Sequence, residues 1–80
     1  MNTETRTIHI FLEIDRHTTK KLEFDSDHVF GRQIKEAGGV PLNDDLAIRH
    51  DDRLELVTND EKIKIHGCER FVALPPGSIS

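Results

Sequence analysis

The residues best suited to chemistry stand at the end of the chain, in the run Pro75-Pro76-Gly77-Ser78-Ile79-Ser80. A glycine on a stiff, exposed lead can act as an acyl donor once its carboxylate is freed. It has no side chain to obstruct a nucleophile or a phosphate, and its backbone is the least restricted of any residue. Pro75 and Pro76 favour an extended, polyproline-type conformation, so little ordering entropy is lost when a narrow site takes the tail. Gly77 is therefore the expected donor. Cleavage between Gly77 and Ser78 would expose it, and Ser78, Ile79 and Ser80 would leave as a short propeptide. The competing reading is a frayed polar end without chemistry.

Other reactive types carry less. Cys68 is the single thiol. His66 would share a face with it in an extended segment, but Glu69 and Arg70 supply no base. A small buried or half-buried core cysteine is the expected role. His9, His17, His28, His50 and His66 show no metal-ligand spacing, and His66 with Cys68 falls short of a structural zinc set. No metal or other cofactor is expected on the chain itself. Gly38-Gly39 follows a helical pattern, whereas phosphate-cradling loops precede a helix. Asp44-Asp45, Asp51-Asp52 and Asp60-Glu61 could steer a basic partner, although solvated loops account for them. Lys20, Lys21, Lys35, Lys62 and Lys64 are candidate acceptors for chain formation, and ordinary solubility explains them equally.

Composition narrows the setting. Eighty residues make one domain, near the lower limit for a self-sufficient core. The chain is 35% hydrophobic and 32% charged, a globular rather than a disordered balance. A net charge of −4 and the lack of a dense Lys/Arg stripe argue against nucleic acid as a partner. No apolar stretch approaches membrane-spanning length, and Met1 to Arg6 lacks the apolar core of a signal peptide. With one cysteine and no internal disulfide, a reducing, cytoplasmic setting is expected. The hydrophobic core must then carry the stability.

The elements that must position the tail follow from periodicity. Ile8, Ile10, Leu12 and Ile14 alternate with polar residues as in a half-buried strand, with Phe11 on the outer face. Thr18 to Phe24 alternates again, with Leu22 and Phe24 inward, and the two runs form an antiparallel hairpin. The period then switches. Ser26 is the expected helix N-cap and Asp27 lies in the first turn. Phe30, Ile34 and Ala37, widened by Val29, give the apolar stripe of a helix of about three turns. Gly38-Gly39 and Pro41 stop it. Two further strands follow, Leu46 to His50 with Leu46 and Ile48 inward, and Arg53 to Val57 with Leu54 and Leu56 inward. Ile63 and Ile65 mark a short extended segment. In the last strand, Arg70 to Leu74, either Phe71 and Ala73 or Val72 and Leu74 face the core. The continuous apolar run suits a central strand buried on both faces. One helix on a mixed sheet of four or five strands is a two-layer α+β domain.

The run from Val29 to Gly77 resembles the bacterial multi-ubiquitin family of ubiquitin-like domains. The carrying residues are Ile34-Lys35-Glu36-Ala37-Gly38-Gly39-Val40-Pro41, Asp45-Leu46-Ala47-Ile48, Ile63 to Phe71, and Pro75-Pro76-Gly77. The resemblance implies a ubiquitin-like β-grasp fold over residues 1–74, followed by a flexible tail, 75–80, processed after residue 77. Members of this family are encoded beside activating-enzyme-like, conjugating-enzyme-like and JAB-type peptidase-like proteins. That neighbourhood implies a bacterial protein-modification system, versions of which act in antiphage defence. The sequence departs from the family in carrying one ubiquitin-like unit rather than tandem copies. It departs from ubiquitin in having one Gly rather than two at the expected mature end.

The expectation is therefore a modifier and not an enzyme. Gly77 would be the acyl donor, Gly77-Ser78 the processing site, and Pro75 and Pro76 the tail that partner enzymes recognise. An activating enzyme, a conjugating enzyme, a processing peptidase and target proteins would be its partners. In β-grasp modifiers, partners dock on the sheet face opposite the helix. The outward candidates are Phe11, Val57 and whichever of Val72 and Leu74 faces out. For Phe11 the rival role is a second small cluster closed by a loop. Two further functions compete: a non-covalent β-grasp binding module, and a sulfur carrier, which would normally finish at Gly-Gly with nothing after it.

Overall fold

Seven strands and one helix form in the computed structural model, which describes residues 7–15 and 17–76. In chain order they are β1 (Ile8–Glu13), β2 (Thr19–Phe24), β3 (His28–Phe30), α1 (Gly31–Gly38), β4 (Asp45–Arg49), β5 (Leu54–Val57), β6 (Lys62–Lys64) and β7 (Arg70–Leu74). The first two alternating runs pair antiparallel, with Ile10 opposite Leu22 and Phe11 opposite Lys21. β7 enters between β1, to which it is parallel, and β4, to which it is antiparallel. The resulting mixed sheet has the order β2-β1-β7-β4-β5, and β3 and β6 make a separate two-stranded sheet. With α1 laid on one face, this is an α+β domain of the β-grasp type.

The core sits between helix and sheet. Its largest fully buried side chains are Phe71, Ile10, Leu12, Ile34, Leu46 and Ile65. Burial of each contributes roughly 1.5–3 kcal/mol, and these residues come from both layers. The open register of the last strand resolves on this geometry. Phe71 and Ala73 face the core, because they lie opposite Ile48 and Leu46. Val72 and Leu74 lie on the outer face.

The helix differs from its expected form. It starts at Gly31, not near Ser26, and runs for eight residues. Val29 and Phe30, a β-branched and an aromatic residue, instead join β3 and pair with Ile63 and Lys62. Ser26 accepts a hydrogen bond from the His28 N–H (3.2 Å) and so caps a turn rather than a helix. The helix N-cap is Phe30, whose N–H is satisfied by the Gln33 side chain at 2.7 Å. The buried face of α1 is Gly31, Ile34, Lys35 and Gly38. Phe30 is half-buried and Ala37 is exposed. A methyl group on Gly31 would meet the Thr58 carbonyl oxygen at 2.2 Å, so only glycine lets the helix start against that backbone. The end is as expected: Gly39 takes the left-handed conformation, φ 75°.

The fifth strand also corrects its expected register. Leu54 and Leu56 are exposed, at 39% and 45%, while Val57 is buried opposite Leu46. Val57 is thus a core residue and not part of the outer face. The reason is the turn. His50 N–H donates to Arg53 O at 2.8 Å across the two-residue loop Asp51-Asp52, which fixes Ile48 opposite Glu55 and Leu46 opposite Val57.

Candidate functional site

The tail leaves from the middle of the sheet. β7 is hydrogen-bonded on both sides, to β1 and to β4, so the root of the tail is held by a central strand. A groove of about 390 Å³, lined by Glu13, Ile14, Asp15, Val72, Ala73, Leu74 and Pro75, opens on one flank. A second, of about 220 Å³, opens on the other and is lined by Ile14, Gly39, Val40, Pro41, Asp44, Ala73, Leu74 and Pro75. Ile14, Ala73, Leu74 and Pro75 line both clefts, so the two meet at the root of the tail. Leu74 is half-buried, and Pro75 and Pro76 are exposed. Of the acidic residues, Glu13 and Asp15 line the first groove and Asp44 the second. Gly77 and Ser78, the expected donor and processing site, lie outside the described residues.

The sheet face opposite the helix brings together the other expected residues. Strand register sets Glu13, Val72, Ala47 and Leu56 in one row across it, and Lys21, Phe11, Arg70, Arg49 and Leu54 in the next. Phe11, Val72 and Leu74 do share this face. It is not an open apolar patch, however. Val72 is only 9% exposed and Ala47 is fully covered. Glu13 is paired with Arg49 at 2.9 Å and approached by Arg70 at 3.8 Å. The Arg70 guanidinium also stands over the Phe11 ring, 5.6 Å from its centroid, an arrangement that favours the cation on the ring face. Phe11 is half-buried beside this arginine.

The exposed apolar surface lies at the edge instead. Leu54, Leu56 and Leu42 are the exposed large hydrophobic residues among those described. Sequence alternation had Leu54 and Leu56 inward. The length of the His50–Arg53 turn is the signal that would have placed them outward.

Cys68 corrects another expectation, since it is exposed. Its backbone is left-handed, φ 65°, and its N–H donates to His9 O at 2.7 Å. The Glu69 carboxylate accepts the N–H groups of His66 (2.7 Å) and Gly67 (2.8 Å), so it holds the turn. No group of three or more metal-ligating side chains gathers among the described residues. No helix there is long and apolar enough to cross a membrane.

The five lysines named as acceptors divide. Lys35 is 4% exposed, and its ammonium donates to Leu42 O (3.2 Å), Asp44 O and Asn59 Oδ1 (2.6 Å). With its three donors occupied it is a structural group. Lys20 donates to Gly38 O at 2.9 Å and closes the helix end. Lys21, Lys62 and Lys64 are exposed. Among carboxylates, Asp27 is held below its ordinary value of 3.8, first by its hydrogen bond to the His28 ring at 2.9 Å; desolvation opposes this, and the charge of His28, a backbone hydrogen bond and the charge of Lys64 add smaller lowering effects.

No family model matches the chain, and comparison with curated proteins and with solved structures finds no match.

Proposed function

We propose that this chain is a ubiquitin-like protein modifier of a bacterial conjugation system. Its acyl donor is the Gly77 carboxylate, freed by cleavage before Ser78. The observation that carries the reading is the tail root: a central strand ends in Leu74, which with Pro75 lines two grooves, and Pro75 and Pro76 are exposed beyond it. An enzyme that must thread a terminal residue into a narrow site can grip such a root through the grooves beside it.

The chemistry is ordinary acyl transfer. The Gly77 carboxylate attacks the α-phosphate of ATP and pyrophosphate leaves. An enzyme thiolate then displaces AMP to form a thioester, and a target amine displaces the thiol to form an amide. The chain supplies the carboxylate and the recognition surface. The catalytic groups belong to an activating enzyme, a conjugating enzyme and a JAB-type processing peptidase, working in the cytoplasm, with antiphage defence as one setting. Asp15 and Asp44, which line the grooves, favour basic surfaces on those enzymes.

One observation favours a second reading, a non-covalent binding module. It is the exposed leucine edge of β5, which needs no reactive tail. Intact mass of the chain recovered from its native cells separates the two. The modifier ends at Gly77, lacking Ser78, Ile79 and Ser80, or is joined to a protein. A population that keeps Ser80 and carries no adduct overturns the modifier reading.

A further inference from the structure

The two edges of the five-stranded sheet are built differently. β2, at one edge, shows Thr19, Lys20, Lys21 and Glu23 to solvent. Exposed lysines on an edge discourage the approach of another strand. β5, at the other edge, reads Leu54-Glu55-Leu56-Val57 and has no lysine. The His50–Arg53 hydrogen bond sets the ladder so that Glu55 and Val57 bond to β4. Alternation then turns the N–H and C=O groups of Leu54 and Leu56 away from the sheet. The same two residues carry exposed side chains, at 39% and 45%. Backbone donors, backbone acceptors and apolar surface therefore coincide at one edge.

The surroundings select the occupant. A hollow of about 200 Å³ at the end of β5 is lined by Leu42, Asp44 and Leu56, among others. Asp51 and Asp52, both exposed, stand at the start of the strand. Arg53 lies 3.7 Å from Asp52 and offsets only part of this charge. On the face that carries Leu54 and Leu56 the edge is apolar in the middle, and carboxylates outnumber cations at both ends, Asp44 and Asp45 against Lys35 at one and Asp51 and Asp52 against Arg53 at the other. A second copy of the chain fits it poorly. The antiparallel register that uses every edge group, Leu54 opposite Leu56, sets Glu55 directly opposite its own counterpart, and like charges so placed are destabilising.

We propose that the β5 edge is a strand-addition site for an extended segment of a partner protein, with alternating apolar residues in its centre and Lys or Arg at both ends. The added strand bonds to the N–H and C=O groups of Leu54 and Leu56. Its apolar side chains cover the two leucines, and its basic ends meet Asp44 at one end of the edge and Asp51 and Asp52 at the other. The site shares Asp44 with the groove beside the tail but does not depend on the tail's activation.

The test uses the full chain and two blocked synthetic peptides, KTVTVTR and its charge-reversed twin ETVTVTE, followed by backbone amide NMR and titration. The expected result is perturbation centred on Leu54 and Leu56, with binding about tenfold weaker for the twin. Leu56→Pro removes one outward N–H without touching the β4 ladder, and should abolish that perturbation. Leu54→Thr with Leu56→Thr keeps the backbone and should weaken binding by several-fold, which covers failure of the proline variant to fold. Equal binding of the twin, perturbation centred on Phe11 and Val72 or on β2, or no binding at millimolar peptide overturns the proposal. So does protection of Leu54 and Leu56 by self-association in sedimentation, which makes a second copy the occupant.

Discussion

The Lys35 ammonium lies 2.6 Å from Asn59 Oδ1 and, with Leu42 O and Asp44 O, joins α1 to the loops on either side of the β4–β5 hairpin. A cation at 4% exposure is retained because three acceptors replace its water. Asn59 in turn donates to Leu42 O at 3.2 Å. Lys35→Met keeps most of the stem packing but leaves these acceptors without their donor. It should destabilise the domain by about 2–4 kcal/mol in urea melting. A loss below about 1 kcal/mol would mean water replaces the ammonium at no cost. The same geometry makes Lys35 a poor acceptor for conjugation. Peptide mapping of any chains should find linkages on Lys21, Lys62 or Lys64 and none on Lys35.

Two glycines of α1 are close to neighbours of different kinds. At Gly31 an added methyl meets the Thr58 carbonyl oxygen, a backbone atom, at 2.2 Å. At Gly38 it meets Leu12 Cδ2, the end of a side chain, at 2.4 Å. A side chain can change rotamer, whereas the backbone after β5 is fixed by the hydrogen bond from Gly31 N–H to Glu61 O at 3.1 Å. Gly31→Ala should cost roughly 1–3 kcal/mol despite its better helix propensity, and Gly38→Ala should cost less. The order of the two denaturation midpoints checks this; the reverse order would show that the 58–61 loop yields more readily than the core.

Much of this fold was legible because one face of each strand is buried. Ile10 and Leu12 in β1 and Leu22 in β2 kept the faces their alternation gave them. What misled was ambiguity of period. Val29 and Phe30 satisfy a helical stripe as well as a strand, and only their pairing with Ile63 and Lys62 decides for β3. Leu54-Glu55-Leu56-Val57 alternates in either sense, and the choice is made by the turn that sets Val57 against Leu46. Burial of Lys35 had no local signal, because its acceptors come from loops seven to twenty-four residues away. For the site, the outward placement of Phe11 followed from its strand, but the approach of Arg70 to its ring is a cross-strand contact that sequence separation hides.

Ile34 is fully buried and anchors α1 in the core. Ile34→Ala should cost on the order of 2–5 kcal/mol, a large part of what so small a domain has available. Ala37, one turn on, is exposed, so Ala37→Ser should shift stability by only about 0.5 kcal/mol. Equal effects at the two positions in guanidinium melting would mean that the helix face is rotated from the one described.

Asp27 gives a pH test. Its carboxyl is held below 3.8, chiefly by the hydrogen bond to His28. A depressed folded value means the unfolded state binds the proton more readily. The stabilisation is then present above the ordinary carboxylate range and is lost as pH falls through the lower, folded value. Asp27→Asn should therefore flatten the acid limb of the stability curve and leave its slope near neutrality unchanged. Carbon-detected NMR titration should find Asp27 titrating below the ordinary value of 3.8. A titration at or above the ordinary value would break the assignment of the His28 contact.

The acyl-donor proposal predicts which residue can be changed without losing the adduct. In a chain ending at residue 77, with an activating enzyme and ATP supplied, Gly77→Val places a β-branched group where the nucleophile and phosphate must pass. It should abolish the covalent product on a denaturing gel. The fold should be untouched, because the described core ends with β7. Cys68→Ser is the contrasting change. The thiol is exposed and its N–H is tied to His9 O at 2.7 Å, so serine keeps the turn and removes only the sulfur. That variant should form the adduct normally. Loss of the adduct in a well-folded Cys68→Ser chain would assign the chemistry to the thiol. Absence of any adduct from the unsubstituted chain, under conditions where peptides still bind the β5 edge, would leave non-covalent recognition as the function.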